Sequence, residues 1–232
     1  MKSKTLKIIL IILLLIVVLS SAYILYDYLT NDPVFEVSEV GTNEYGTVYR
    51  IVTGNNNSDE SIGIILGIHS RESNIHKAIN STFYKTCLEN GSHHFSKKYI
   101  IYYVILNDDI SGREDTRDAG ESLGEQYIVP NIVKENVSLI IDVHMINPRY
   151  EYSNFVFSVD NTSEVGNSYA DKIAKDLDIK NFEFDEGSSP SRITIPISES
   201  GIPTLLIEFD INSKNVEEIA LNFLNSLDDL NL

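Results

Sequence analysis

The sequence predicts an α/β fold: a single domain with a mixed, largely parallel central sheet flanked by helices, preceded by an N-terminal transmembrane helix. Three observations carry this. Continuous apolar runs at residues 62–68, 98–106, 138–143 and 204–209 have the length and β-branched content of strands buried on both faces. Segments whose apolar residues recur at helical spacing alternate with them. Finally, residues 8–25 carry no charge, a length close to the minimum for a bilayer span.

Lys2, Lys4 and Lys7 precede that apolar stretch and Asp27 closes it, an asymmetry that keeps the N-terminus in the cytoplasm and places the remainder outside. Ser20 and Ala22 form a small-x-small pair that a cleaved signal peptide would use, but the run exceeds most signal-peptide cores. Residues 1–26 therefore read as an uncleaved anchor, 27–34 as a linker and 35–232 as one domain. The formal charge is -16, with 34 acidic residues. Such a surface repels nucleic acid and anionic lipid. Cys87 is the only cysteine, which excludes an intrachain disulfide and fits a small buried residue.

Residues 35–40 and 47–52 alternate as two strands around a hairpin turn at 41–46. Residues 54–60 are a solvated loop. After the strand at 62–68, Ile75, Ala78, Ile79, Thr82, Phe83, Thr86 and Cys87 predict a helix ended by Asn90-Gly91. His76 on that helix and His93 and His94 beyond it read as surface residues. The strand at 98–106 leads into residues 107–124, polar and glycine-punctuated, which read as a long loop, with or without a short helix. A strand at 154–159, a helix on Val165, Tyr169, Ile173, Ala174 and Leu177, a loop at 187–192 and a short extended piece at 193–197 follow. The last helix begins near Asn215, with Glu217 and Glu218 favourably placed in its first turn.

The chemistry gathers where the strands end. The apolar run at 62–68 gives way to His69, Ser70, Arg71 and Glu72. In open α/β sheets, ligands collect beyond the carboxyl ends of strands. A turn after the strand brings imidazole and carboxylate together, two of the ligand types that a zinc ion accepts. A surface turn with a mixed-sign charge pair is the plainer reading of the same four residues. Two other strands end in His144 and Glu208. If the three lie side by side and parallel, His69, Glu72, His144 and Glu208 share one sheet edge, as three metal ligands and a free carboxylate. Asp142 shares a strand face with His144 and either orients that imidazole through its second nitrogen or caps a neighbouring loop.

These segments resemble the zinc carboxypeptidase superfamily, which includes the succinylglutamate desuccinylase and aspartoacylase-type deacylases. G-I-H-S-R-E at 67–72 is similar to its zinc-binding segment, I-I-D-V-H ending at His144 to the strand bearing the third ligand, and G-I-P-T-L-L-I-E-F at 201–209 to its late strand with the catalytic glutamate, here Glu208. The resemblance implies one Zn2+ per chain, held by His69, Glu72 and His144, and hydrolysis of an amide bond in a peptide or an N-acyl amine. Glu208 would be the general base, and Arg113 or else Arg117, in the polar loop, the oxyanion donor. Arg71, beside the ligands, is placed to touch substrate.

The chain also departs from the family. Where the exopeptidases hold a C-terminal carboxylate with an Asn-Arg pair, this chain has Gly124-Glu125, and Glu125 attracts an amine rather than a carboxylate. The capping tyrosine is absent from residues 188–197, and Arg192 is the candidate carboxylate partner from that side. Two enzymatic readings stand, a peptidase acting on peptides or cell-envelope peptides and a deacylase, beside a third in which the domain binds a metal or ligand without turnover.

Overall fold

The computed structural model describes residues 2–30, 34–89, 95–159, 163–184 and 190–232. They belong to two units, Met1–Asp32 and Pro33–Leu232. The first is a single helix, α1 (Lys2–Thr30), which runs past residue 26 into the expected linker. Its described side chains are 9–23 and 25, and Ile9 to Leu19 are about half exposed or more. A bilayer takes about 20 apolar residues, and among the described residues no helix is long and apolar enough to cross a membrane. Lys2, Lys4 and Lys7 lie outside the described side chains.

The second unit is built on one eight-stranded sheet in the order β1-β2-β4-β3-β5-β8-β6-β7. The strands are β1 (Val34–Asn43), β2 (Gly46–Gly54), β3 (Ser61–Leu66), β4 (Lys98–Leu106), β5 (Leu139–Ile146), β6 (Phe155–Ser158), β7 (Lys180–Asn181) and β8 (Thr204–Asp210). The sheet is mixed: β3, β4, β5 and β8 are mutually parallel in its centre, β6 and β7 pair parallel to each other, and β1, β2 and β6 join by antiparallel pairing. The expectation that β3, β5 and β8 stand side by side and parallel is met.

The period-2 alternation of the strands sends side chains to the two faces of the sheet, where two large clusters form beside a smaller one around Ile146, Phe155, Phe157 and Leu206. On one face Ile62, Ile64, Ile141, Val143, Leu205 and Ile207 pack with helices α2 (Ser73–Tyr84), α5 (Glu164–Leu177) and α7 (Val216–Asp228). On the other, Ile65, Ile100, Tyr102 and Ile140 meet Leu123, Ile128, Ile132, Ile193 and Ile197. Cys87 is buried as expected, 3.2 Å from the Thr53 hydroxyl.

Two segments differ from expectation. The segment 107–124, read as a long loop with or without a short helix, is helical from residue 113, and the helical stretch runs on to 132: α3 (Arg113–Leu123), a wider π-type turn (Gly124–Ile128) and α4 (Val129–Ile132). Up to residue 121 its buried positions, Thr116, Ala119, Gly120 and Glu121, are small or polar, so this part shows no apolar stripe, and large apolar groups enter the core only from Leu123 onward. Residues 193–197, read as extended from their β-branched content, are also helical, in a π-type turn (Pro190–Thr194) and α6 (Ile195–Ser198). There Ile193 and Ile197, four apart, fill the second core, and tertiary packing overrides local preference. The expected loop at 187–192 lies partly outside the described residues, as do His93 and His94.

Candidate metal centre

The site begins where β3 stops. Gly67 sits at φ 85°, in the left-handed region, and a Cβ there would lie 2.2 Å from the Val104 carbonyl oxygen. Only glycine lets the chain leave the sheet this way. His69 follows in extended conformation, and Ser70–Glu72 make one tight 3₁₀ turn in which the Glu72 amide donates to the His69 carbonyl at 3.0 Å. The turn folds the carboxylate back beneath the imidazole. His144 comes from the last turn of pleat in β5, and Glu208 is its register partner on β8.

Glu72 is the hinge of the cluster. Its Oε1 lies 2.8 Å from His69 Nδ1, and its Oε2 lies 3.0 Å from His144 Nδ1 and accepts from the Met145 amide at 3.0 Å. The two imidazole rings are 4.7 Å apart between centroids. Each ring turns its other nitrogen to a second carboxylate: His69 Nε2 to Glu121 Oε1 at 3.2 Å, and His144 Nε2 to Asp142 Oδ1 at 3.1 Å. Asp142 is held in turn by the Thr194 hydroxyl, which donates to Oδ2 at 3.0 Å. All of these carboxylates and imidazoles are at least nine-tenths buried.

This arrangement can be tested for a metal from its own donors. A neutral imidazole carries one N–H, yet both nitrogens of both rings face carboxylate oxygen. A ring that gives its Nε2 proton to the outer carboxylate turns a lone pair toward Glu72, and the inner atoms then repel unless a cation lies among them. One donor atom from each of His69, Glu72 and His144 lies within 4.8 Å of the others. Ligand bonds of roughly 2.1 Å bring such atoms about 3–4 Å apart. The donor set fits a divalent ion, with Glu121 and Asp142 orienting the two imidazoles from behind.

The charges of the site follow the same logic. Burial works against a charged His144, but the Asp142 and Glu72 carboxylates outweigh it and hold its pKa well above the ordinary histidine value. Burial also opposes charge on Glu72, where the adjacent His144 and His69 prevail and lower its pKa. At Glu208 the compensation falls short. Burial, with the negative Glu72 and Asp142 nearby and against the pull of His144, pushes its carboxyl up to about 8. Its Oε2 is buried with no hydrogen-bond partner among the described residues. An orphaned carboxylate oxygen beside a metal-type donor set is a group held ready for a proton.

His69, Glu72, His144 and Glu208 line a cavity of about 730 Å³, and Arg71, Arg113 and Arg117 line it with them. Arg117 is the most engaged of these, donating to His69 Nδ1 at 3.3 Å and lying 3.6 Å from Glu121. Arg113 has only an exposed, 3.8 Å contact with its neighbour Glu114. Glu125 and Arg192 do not belong to the cavity wall. They pair with each other at 2.9 Å, and Arg192 also holds Asp118 and lies 3.5 Å from Oε2 of Glu121, the carboxylate behind His69. His76 is no surface residue: it is fully buried, its Nδ1 accepting from the Gly67 amide at 3.2 Å and its Nε2 donating to the Val143 carbonyl at 2.9 Å. It ties the β3 turn to the strand that carries His144.

Glu121, Arg149 and Tyr150 escaped the sequence reading. Glu121 reaches His69 because Gly120 lets α3 press onto the turn, where a Cβ would stand 1.9 Å from the Ile68 carbonyl oxygen. Arg149 and Tyr150, on the loop after β5, complete the wall. No sequence spacing announces contacts 52 residues apart.

No protein-family profile and no curated protein matches the sequence. Solved structures do match in fold. A metallo-carboxypeptidase from Burkholderia cenocepacia superposes with a TM-score of 0.58 at 11% identity, over 90% of this chain and 67% of its own. A protein from Shewanella denitrificans named after carboxypeptidase A gives 0.55 at 13% identity, over 85% and 64%. A succinylglutamate desuccinylase/aspartoacylase from Rhodobacter sphaeroides gives 0.51 at 14% identity, over 84% and 66%. The chain thus spans about two thirds of the length of these structures. The fold is the one the resemblance implied, that shared by the zinc carboxypeptidases and the desuccinylase/aspartoacylase group.

Proposed function

We propose that the chain is a zinc-dependent hydrolase of an amide bond, a compact metallocarboxypeptidase-like peptidase acting on peptides or cell-envelope peptides. One observation carries the reading: the buried His69–Glu72–His144 donor set stands beside a buried, unpartnered Glu208 oxygen on the floor of an open cavity. A domain that only bound metal would have no use for that oxygen. Zinc, when bound, supplies Lewis-acid polarisation of the scissile carbonyl and an acidified water.

The chain's own part is to place protons and charge. Glu208 takes a proton from the attacking water at Oε2 and delivers it to the leaving nitrogen, using an oxygen that no other described group engages. Arg113, whose guanidinium has the least internal engagement of the two candidate donors, turns toward the developing oxyanion. Arg117 holds the His69 side of the site. Asp142 and Glu121 keep the imidazoles in place.

A second reading, removal of an acyl group from an amino-acid-like amine, is favoured by the absence of the Asn-Arg pair and by the diversion of Glu125 and Arg192 into a surface ion pair. Placement at a membrane, with the domain outside, belongs to the proposal too, and it rests on the uncharged run at residues 8–25 and the lysines before it. The test is elemental analysis of the full chain purified in detergent, beside His144→Ala, followed by assay on free-C-terminal peptides and N-acyl amino acids. One zinc per chain, lost in the variant, with turnover of either panel is the expected result. Metal-free protein that takes up none on zinc addition would overturn it.

A further inference from the structure

The two carboxylates behind the imidazoles share one support. Asp142 turns Oδ1 to His144 Nε2 and Oδ2 to the Thr194 hydroxyl, at 3.1 and 3.0 Å. Glu121 turns Oε1 to His69 Nε2 and Oε2 to Arg192 Nη1, at 3.2 and 3.5 Å. In both, one oxygen faces an imidazole and the opposite oxygen faces the π-type turn Pro190–Thr194. Asp142 lies on β5 and Glu121 on α3, and this one turn reaches both.

The contacts matter because of where they are made. Asp142 is fully buried and Glu121 nearly so. A carboxylate taken out of water keeps its charge and its place only when it is paired or hydrogen-bonded. Once displaced or protonated, it no longer holds the ring N–H that fixes the orientation of a ligand imidazole. Thr194, itself fully buried, gives one carboxylate a neutral donor, and Arg192 gives the other a positive charge.

The turn is fixed in its own right. Ile193, between the two residues, is fully buried in the second core, and its seat depends on Gly124, where a Cβ would stand 2.5 Å from Ile193 Cδ1. Arg192 is held at 2.9 Å by Asp118 Oδ1 and at 2.9 Å by Glu125 Oε2. Gly124-Glu125, the pair that stands where the exopeptidases carry Asn-Arg, therefore seats this turn.

We propose, resting on the reading of His69, Glu72 and His144 as metal ligands, that the Pro190–Thr194 turn is a single clasp that orients both imidazoles, with Thr194 and Arg192 as its positioning residues. Both act through another side chain. Thr194 acts on His144 through Asp142, and Arg192 acts on His69 through Glu121, so displacing the turn loosens two ligands at once.

Two measurements on the full-length protein in detergent test the clasp, with circular dichroism to establish that each variant is folded. In chelator competition, Thr194→Val, which keeps the shape and removes the donor, should weaken zinc binding about tenfold, and Thr194→Ser should restore it. Arg192→Gln should also weaken zinc binding about tenfold, whereas Glu125→Gln, which leaves Arg192 on Asp118, should not. The second measurement reads the rings without metal. In protein stripped of metal and carrying isotopically labelled histidine, the ring-nitrogen resonances of His144 should shift in Thr194→Val and those of His69 in Arg192→Gln. Wild-type zinc affinity in both variants, or failure of Thr194→Ser to restore it, would overturn the clasp and leave the hydrolase reading standing. If the unaltered protein takes up no zinc, the hydrolase reading fails and the resonances decide: the expected shifts support the clasp, and unshifted signals overturn it.

Discussion

Two fully buried histidines, His76 and His144, lie on adjoining elements and carry opposite electrostatics. His76 meets only backbone, an amide and a carbonyl, and burial pulls its pKa down to about 4, despite the raising effect of Glu72. His144 meets two carboxylates, which outweigh burial and raise its pKa. Burial is common to both, so the partners decide. Backbone partners make a neutral strut, and carboxylate partners prepare a place for positive charge, whether protons or a metal.

The comparison can be broken most severely at the floor. Glu208→Gln should leave bound metal unchanged in elemental analysis and lower kcat by about 10³-fold or more, the larger end of what a positioned proton carrier contributes. If hydrolysis survives at near wild-type rate, Glu208 is not the base. Asp142→Asn removes the outer carboxylate from His144 while keeping its shape, and zinc affinity measured by competition with a chelator should fall about 10–100-fold. The same chelator titration on His76→Gln should show a far smaller change, because His76 touches no ligand side chain.

The strut shows itself in stability instead. His76→Ala leaves the Gly67 amide and the Val143 carbonyl without their buried partner, and chemical denaturation should register a loss of about 1–3 kcal/mol. Its pH dependence has a definite sign. The folded-state pKa lies below the unfolded value, so the unfolded chain binds more protons between about pH 6.5 and 4, and stability contributed by neutral His76 is lost as pH falls through that window. His76→Gln should flatten this part of the stability profile, and an identical profile in the variant would remove the assignment. The smallest effect is expected at the outer ion pair. Glu125→Gln weakens an exposed contact with Arg192 worth about 0–1 kcal/mol and should leave hydrolysis unchanged.

Strands and helices with an apolar signature were legible because burial writes itself into residue type. β4 is read to the residue from its run of isoleucine, tyrosine and valine, and β3, β5 and β8 from similar runs. The full extent of α3, inside the segment read as a loop with or without a short helix, was not, because it buries Thr116, Ala119, Gly120 and Glu121, small or polar groups, with Leu123 its one large apolar residue in the core. His76 was misjudged for a related reason. It sits on the buried stripe with Ile75 and Ile79, but its type is compatible with either environment, and only its two backbone partners settle which one it occupies.

The sequence by itself determined which strands are central and which side chains stand at their ends, since apolar continuity and the His69–Glu72 spacing are local properties. Tertiary structure alone decided that β3, β5 and β8 are neighbours, that Glu121 closes behind His69 across 52 residues, and that Arg149 faces the cavity while Arg192 does not. The reason is physical. Hydrophobic periodicity is imposed residue by residue along the chain, whereas the pairing of buried polar groups depends on backbone approaches, such as that of Gly120 to Ile68, which exist only once the layers have packed.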